Sequence, residues 1–473
     1  MSPREKLEGT ELPRILVPPP GPRSRSSAKR LRRNEGAAIW GAGDSPIVWS
    51  RGKGSVVLDA DGNRYLDLTA GFGVLSLGHS APEVARAVSA QARKLTQGLG
   101  DLMPHEGREK LVRRLVSLGG GALDRVLLAS TGSEAVELAL KTAHLATGRR
   151  RVVAFTGAYH GQSYGALAVT DYPGLGKPFA AQISNLAIRV PYPYTYRCPV
   201  APACGGRCDL RCLDTAIETV DRELRGSDPP GAILIEPIQG RSGCVVPSPE
   251  YLPKLRAFAS ERGLLLILDE VMTGGGRTGP FWAWQRYGEA AAPDLLVAGK
   301  GIGGGVAIAA VLGRKKVMES WRKHVLPSGE APHSSTFYAH PVACAGALKT
   351  LERLAAPETR AHAERVGTIF AEGLRAVAAR SPAIGDARAA GLMAAIELVR
   401  DRDSREPAPE LTARTVGALM REGVLVWPGG VHDNVICFTP PLTITEGQAR
   451  FAVGAVERAL QISCGMYPTG DWK

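Results

Sequence analysis

Three short segments of the chain carry side chains whose types and settings could do chemistry. Ser130-Thr131-Gly132-Ser133-Glu134 stands where an apolar run ends and a helix-forming run begins. A helix N-terminus offers unpaired backbone N–H groups at the positive end of its dipole, which suits a phosphate. Gly lets the backbone come close and the hydroxyls add donors, although the same residues also make an ordinary helix cap. Leu268-Asp269-Glu270-Val271 closes a second apolar run. A carboxylate there needs a partner, because an unpaired buried charge is costly; a protonated ring nitrogen, a metal or an Arg would serve. Ala298-Gly299-Lys300-Gly301 follows a third run. A Lys on a tight Gly-flanked turn can be desolvated and give up its proton more readily, or can simply be an exposed turn lysine.

Their order decides between these readings. A phosphate cradle, the aromatic pair Tyr159-His160, a strand-end Asp and a strand-end Lys follow one another along the chain. Pyridoxal phosphate requires such a set: a phosphate cup, a stacking ring, a carboxylate on its pyridine nitrogen and a lysine attachment point.

The elements that must position these residues read as an α/β fold. RVLLAS (125–130), RVVAFT (151–156), AILIEPI (232–238), LLLILDEV (264–271), LLVAGK (295–300) and AIAAVLG (307–313) are short apolar strands separated by helical runs such as 133–147. That alternation predicts a mostly parallel sheet covered by helices on both faces. Before it, apolar residues flank Asp61-Gly62-Asn63 as in a hairpin, and a helix is expected over about 80–97. After it, a helix from 345 leads to strands near 393–398 and 435–441, read as a separate α+β region. The expected division is a basic, Pro-rich arm (1–36), an N-terminal part of a small domain (37–79), a large domain (80–345) with a Cys-containing insertion at about 192–213, and a C-terminal small domain (346–473).

The chain has 473 residues, of which 44% are hydrophobic and 22% charged. Those values exclude a wholly disordered chain, and 8 Cys are too sparse for a disulfide scaffold. No apolar run approaches the length of a membrane span, and the polar N-terminus lacks a secretory pattern, so a cytoplasmic protein is expected. The net charge is +12, and residues 1–36 hold nine Lys/Arg against four Asp/Glu. Arg23 to Arg33 could touch nucleic acid, but without an aromatic platform it reads as a solvated arm. Cys198, Cys204, Cys208 and Cys212 fall within fifteen residues. They could hold a metal, close a loop as reduced thiols, or form a disulfide; the spacing matches no standard zinc pattern and no metal is expected.

The motifs GNRYLDLTAGFGVLSLGHSAP, STGSEAVELALKTA, FTGAYHGQSYGAL, ILIEPIQG, LILDEVMTGGGRTG, AGKGIGGG, HSSTFYAHPVACAGAL and PPLTITEGQ occur in this order. Over about residues 40–460 the chain resembles the class III (subgroup II) aminotransferases, fold-type I pyridoxal phosphate enzymes with a seven-stranded large domain and a smaller α+β domain. The resemblance implies a homodimeric, ping-pong transaminase in which Lys300 holds the cofactor and moves the substrate proton, and Asp269 keeps the pyridine nitrogen protonated. By the same resemblance Thr131, Gly132 and Ser133 bind the phosphate, Tyr159 and Val271 flank the ring, and His160, Glu236 and Met272 complete the site. Thr336 of the partner subunit reaches the phosphate, and Phe72 and Val74 line the substrate entrance.

Four departures bear on substrate. Cys437 stands where many members carry a carboxylate-binding Arg, and a thiol cannot make that charged, bidentate contact. Glu236 resembles the usual partner of that Arg and is left without it, with Arg241 as a substitute partner. Gln162 replaces an Arg found in 4-aminobutyrate aminotransferases. Met272 replaces a hydrogen-bonding Gln, and Gly275 a common Phe. The expected substrates are therefore an amine or ω-amino acid donor and an oxo acid or aldehyde acceptor, in a pocket less selective for acids. A racemase or aminomutase on the same scaffold is the alternative, and an oxo acid acceptor consumed or not consumed separates the two. A cofactor-bearing regulator that binds nucleic acid and a metal enzyme built on the Cys loop are further readings; intact Lys300 and Asp269 count against the first.

Overall fold

The computed structural model describes residues 7–36, 46–183, 185–200 and 208–465. Its first strands are β1 (Trp49–Lys53), β2 (Val56–Asp59) and β3 (Arg64–Asp67), with β2 and β3 antiparallel. The turn between them is closed by Asp59, whose Oδ1 accepts from Asn63 N at 2.8 Å, while Gly62 takes the left-handed φ of 90° that the reversal demands.

The large sheet contains β4 (Arg125–Ala129), β5 (Arg151–Phe155), β6 (Ala187–Val190), β7 (Pro230–Ile235), β8 (Leu265–Asp269), β9 (Leu295–Ala298) and β10 (Ala309–Gly313). Their spatial order is β4-β10-β9-β8-β7-β5-β6, and only β10 runs antiparallel to its neighbours. Both faces are apolar because helices cover both. On one side Ala135, Val136, Leu138 and Ala139 of the helix Gly132–Thr147 pack on alternate residues of these strands; on the other lie Leu252, Leu255 and Phe258. Each fully buried Leu or Phe contributes about 1.5–3 kcal/mol relative to exposure, so this sheet is the rigid floor of the molecule.

The chain ends in β11 (Ile384–Ala390), β12 (Met393–Leu398), β13 (Val424–Leu425), β14 (Trp427–Gly429) and β15 (Val435–Phe438). β11-β12-β15-β14 form an antiparallel sheet, whereas β13 runs parallel to β3 and joins the N-terminal hairpin to the C-terminal segment. The helix expected from 345 begins earlier, at Pro341, where His340 caps it.

The basic run carries a helix, Pro22–Arg32, with Pro at its first turn and Ser24 and Ala28 buried while its charged side chains face solvent. Asp61 carboxylate oxygens accept from Arg23 N and Ser24 N at 2.7 and 2.8 Å, which fastens this helix to the hairpin turn. The Cys-rich segment is not all loop, since Cys212 is buried on the helix Arg211–Leu224. Cys204 lies outside the described residues. Among the described residues no group of His, Cys, Asp or Glu could hold a metal ion, and no helix is long and apolar enough to cross a membrane.

Candidate active site

The carboxyl ends of the parallel strands deliver the chemistry-bearing residues to one edge of the sheet, where ligands of such folds collect. Asp269 ends β8 and is 5% exposed. Its Oδ1 accepts from Val271 N at 3.0 Å, and its Oδ2 lies 2.7 Å from His160 Nδ1. His160 follows β5, and its backbone N–H donates to Thr170 Oγ1 at 2.9 Å. Its Nε2 is buried without a partner.

Lys300 comes two residues after β9, half-buried, with a left-handed φ of 42°. A non-Gly residue held there costs about 1–3 kcal/mol and persists only where packing enforces it. Its Nζ lies 3.2 Å from Met272 Sδ, a weak acceptor that gives an ammonium little support. Burial lowers the Lys300 pKa; Asp269 and Glu236 oppose that shift and Arg241 adds to it.

Glu236, after β7, is held by backbone groups and not by the Arg241 that the sequence offers. Its two carboxylate oxygens accept from Tyr159 N at 3.0 Å and Gly240 N at 2.9 Å. Burial raises its pKa, His160 opposes that, and Asp269 raises it further. Glu270 serves the fold: its carboxylate accepts from Ala283 N and Trp284 N at 2.6 and 2.8 Å.

Thr131 caps the helix Gly132–Thr147, its Oγ1 accepting from Glu134 N at 3.1 Å. Ser133 Oγ accepts from Gln162 N and Ser163 N at 3.2 and 3.0 Å, which ties the Tyr159-His160 turn to this helix start. Gly161 permits that approach, since a Cβ there would stand 2.4 Å from Ser133 Oγ. Val271 packs on Gly132 and Gly299 together, where added Cβ atoms would meet it at 3.1 and 3.4 Å. Sequence reasoning missed Ser163 and Glu137, whose side chains hydrogen-bond at 2.8 Å and brace the cradle; the only signal was the polar QS following the YHG motif.

Five expected residues lie outside this core. Arg241 packs over the rings of Tyr159 and Tyr172. Phe72, 63% exposed in a strained turn with φ 59°, meets Trp427 edge to face at 6.1 Å, with Val74 half-buried beside it. Cys437 is fully buried opposite Trp427 in the β14–β15 pair and makes no surface in the site. Thr336 is exposed, and its carbonyl accepts from Gln97 Nε2 at 2.7 Å.

The residues present fit a phosphorylated pyridine aldehyde. Ser130 Oγ is buried with no partner beside the free N–H groups of a helix start, and a buried carboxylate and a depressed lysine flank the same edge. Gly132 and Gly161 keep the cradle clear of side chains.

The family model described as aminotransferase class-III matches residues 40–460. The chain is 36% identical over 430 residues to the 4-aminobutyrate aminotransferase of Escherichia coli, covering 90% of this chain and 96% of that protein. It is 32% identical to the alanine/serine racemase of Pyrococcus horikoshii, covering 95% and 93%. The solved amine transaminase of an uncultivated Pseudomonas species, in its PLP-bound form, superposes with a TM-score of 0.83 at 31% identity, covering 91% of this chain and 99% of that one.

Proposed function

The chain belongs to the class-III aminotransferases, and from that premise we propose how its residues divide the work. It is a pyridoxal-phosphate-dependent transaminase that passes an amino group from an amine or ω-amino acid to an oxo acid or aldehyde. When bound, the cofactor supplies an electron-withdrawing ring that acidifies the C–H next to the substrate nitrogen.

In this reading Lys300 Nζ attaches the cofactor and then carries the proton to and from the substrate carbon. Its lowered pKa suits both tasks, because attachment and proton removal each start from an unprotonated amine and the resulting ammonium gives its proton back readily. The Asp269 carboxylate holds a proton on the ring nitrogen, and His160 fixes that carboxylate's direction. Thr131, Gly132 and Ser133 hold the phosphate at the helix start, with Thr336 of the partner subunit completing the cup. Tyr159 and Val271 flank the ring, and Glu236 and Met272 border the reacting amine. Phe72 and Val74 form the entrance with Arg241 inside it, and Cys437 acts by leaving the usual cation out. A homodimer fits the exposed apolar cluster of Leu99, Leu102, Met103 and Phe337 around Thr336.

The observation that carries this reading is a depressed lysine and a buried, ring-braced carboxylate at neighbouring strand ends. Visible absorption tests it. Purified protein loaded with pyridoxal phosphate shows a band that Lys300→Ala removes and that amine donors bleach. The racemase reading rests on the 32% identity to an alanine/serine racemase. An amino acid that loses optical purity while no oxo acid is consumed would favour it.

A further inference from the structure

Arg241 lies in the turn beyond β7 and is half-buried. Its guanidinium carbon stands 4.7 Å from the centre of the Tyr159 ring and 4.4 Å from that of Tyr172. Its carbonyl accepts from Gly430 N at 3.0 Å, which anchors the backbone while the guanidinium stays on the two rings. Among the described residues it forms no ion pair with a carboxylate. Two aromatic faces thus hold a partly desolvated cation in place without neutralising it, the state in which a cation binds an anion most strongly.

Where it sits limits what it can bind. Met272 Sδ is 3.2 Å from Lys300 Nζ, and a Cβ on Gly240 would lie 3.1 Å from the same sulfur. The 240–241 turn and the lysine amine therefore share one thioether between them. The guanidinium rests on the ring of Tyr159, whose backbone N–H is held by Glu236, and its charge acts on the Lys300 amine, so it addresses a group on the carbon that the amine serves and not the far end of a long substrate. The buried Cys437 offers no charge in its stead.

We propose that Arg241 binds the carboxylate borne by the substrate's reacting carbon, so that α-amino acids and 2-oxo acids form one half of the substrate pair. This rests on Lys300 being the reacting amine. Alanine and isopropylamine differ only in that a methyl group replaces the carboxylate, and isobutyrate keeps the carboxylate while lacking the amine. In loaded enzyme, Arg241→Gln lowers the ratio of kcat/KM for alanine over isopropylamine by about 10- to 100-fold. It weakens isobutyrate binding, followed by calorimetry, by a similar factor, and Arg241→Lys recovers part of both. Equal isobutyrate binding by wild type and Arg241→Gln, or none by either, would overturn the assignment. So would an equal fall for alanine and isopropylamine with normal cofactor loading, and that result would leave the Lys300 site standing. A visible band that survives Lys300→Ala would instead remove the site itself.

Discussion

His160 Nδ1 lies 2.7 Å from Asp269 Oδ2, and both side chains are withdrawn from solvent. The contact joins the end of β8 to the turn after β5, and Val271 N holds the other carboxylate oxygen. A carboxylate fixed at both oxygens cannot rotate to follow a misplaced ring nitrogen, so its direction is set before any ligand arrives. Removing the imidazole leaves Asp269 with one firm partner. His160→Ala should therefore weaken pyridoxal phosphate binding by about 10-fold or more, as expected for a lost hydrogen bond to a charged group. Asp269→Ala should lower turnover by at least about 100-fold. Absorbance titration with the cofactor checks the first, and an unchanged affinity would show that the carboxylate needs no brace.

The Lys300 amine has a working pH that the structure orders by sign. Burial lowers its pKa, so the neutral amine is present below the usual 10.5, and the rate of cofactor attachment rises with pH to a midpoint under that value. Arg241→Gln removes a positive neighbour and moves the midpoint up; Glu236→Gln removes a negative one and moves it down. Stopped-flow appearance of the visible band across pH reads both. Shifts of the same sign in the two variants would contradict the arrangement.

The strand ends were legible in the sequence because apolar runs stop where chemistry begins: LLLIL before Asp269, LLVA before Lys300. What the sequence hid was contact between distant elements. Nothing local tells that His160 meets a carboxylate 109 residues on, or that Glu236 is satisfied by the amides of Tyr159 and Gly240. The sequence offers Arg241 as a partner for Glu236, whereas backbone N–H groups hold its carboxylate. The helix at Pro22–Arg32 carries a local signal, a Pro at its first turn, but nothing local tells that Asp61 holds its first amides. Cys212 was grouped with its neighbouring thiols, although it begins a helix whose Leu213, Ala216 and Val220 are buried.

Leu99, Leu102, Met103 and Phe337 are 54%, 52%, 63% and 59% exposed, an apolar cluster unusual on a free surface. Gln97 binds the carbonyl of Thr336 within it, so the cluster and the residue assigned to the partner's phosphate form one surface. Sedimentation of the wild type should give twice the 50.0 kDa chain mass. Leu102→Lys combined with Met103→Glu should shift it to monomer and lower cofactor retention together. A monomer that keeps its cofactor undiminished would separate Thr336 from the phosphate cup.

Glu397 of β12, 1% exposed, receives hydrogen bonds from Tyr194, Arg197, Arg388 and Asn434. Tyr194 and Arg197 lead into the Cys-rich segment, so one carboxylate clamps that segment to the C-terminal sheet. Burial alone would raise its pKa, but Arg388 and Arg197 outweigh it and hold the carboxyl below 4.5. In the window under 4.5 the unfolded chain therefore binds more protons than the native one. The stabilisation is full above 4.5 and is lost as pH falls through the native value. Glu397→Gln leaves the half-buried Arg197 without its counter-ion and Arg388 with Asp386 alone, and should cost about 1–3 kcal/mol at neutral pH. Urea unfolding should show that loss at pH 7 and a smaller difference near pH 4, with earlier proteolytic cutting around residues 194–200. Equal losses at the two pH values would mean that the charge of Glu397 contributes nothing and that its shape alone does.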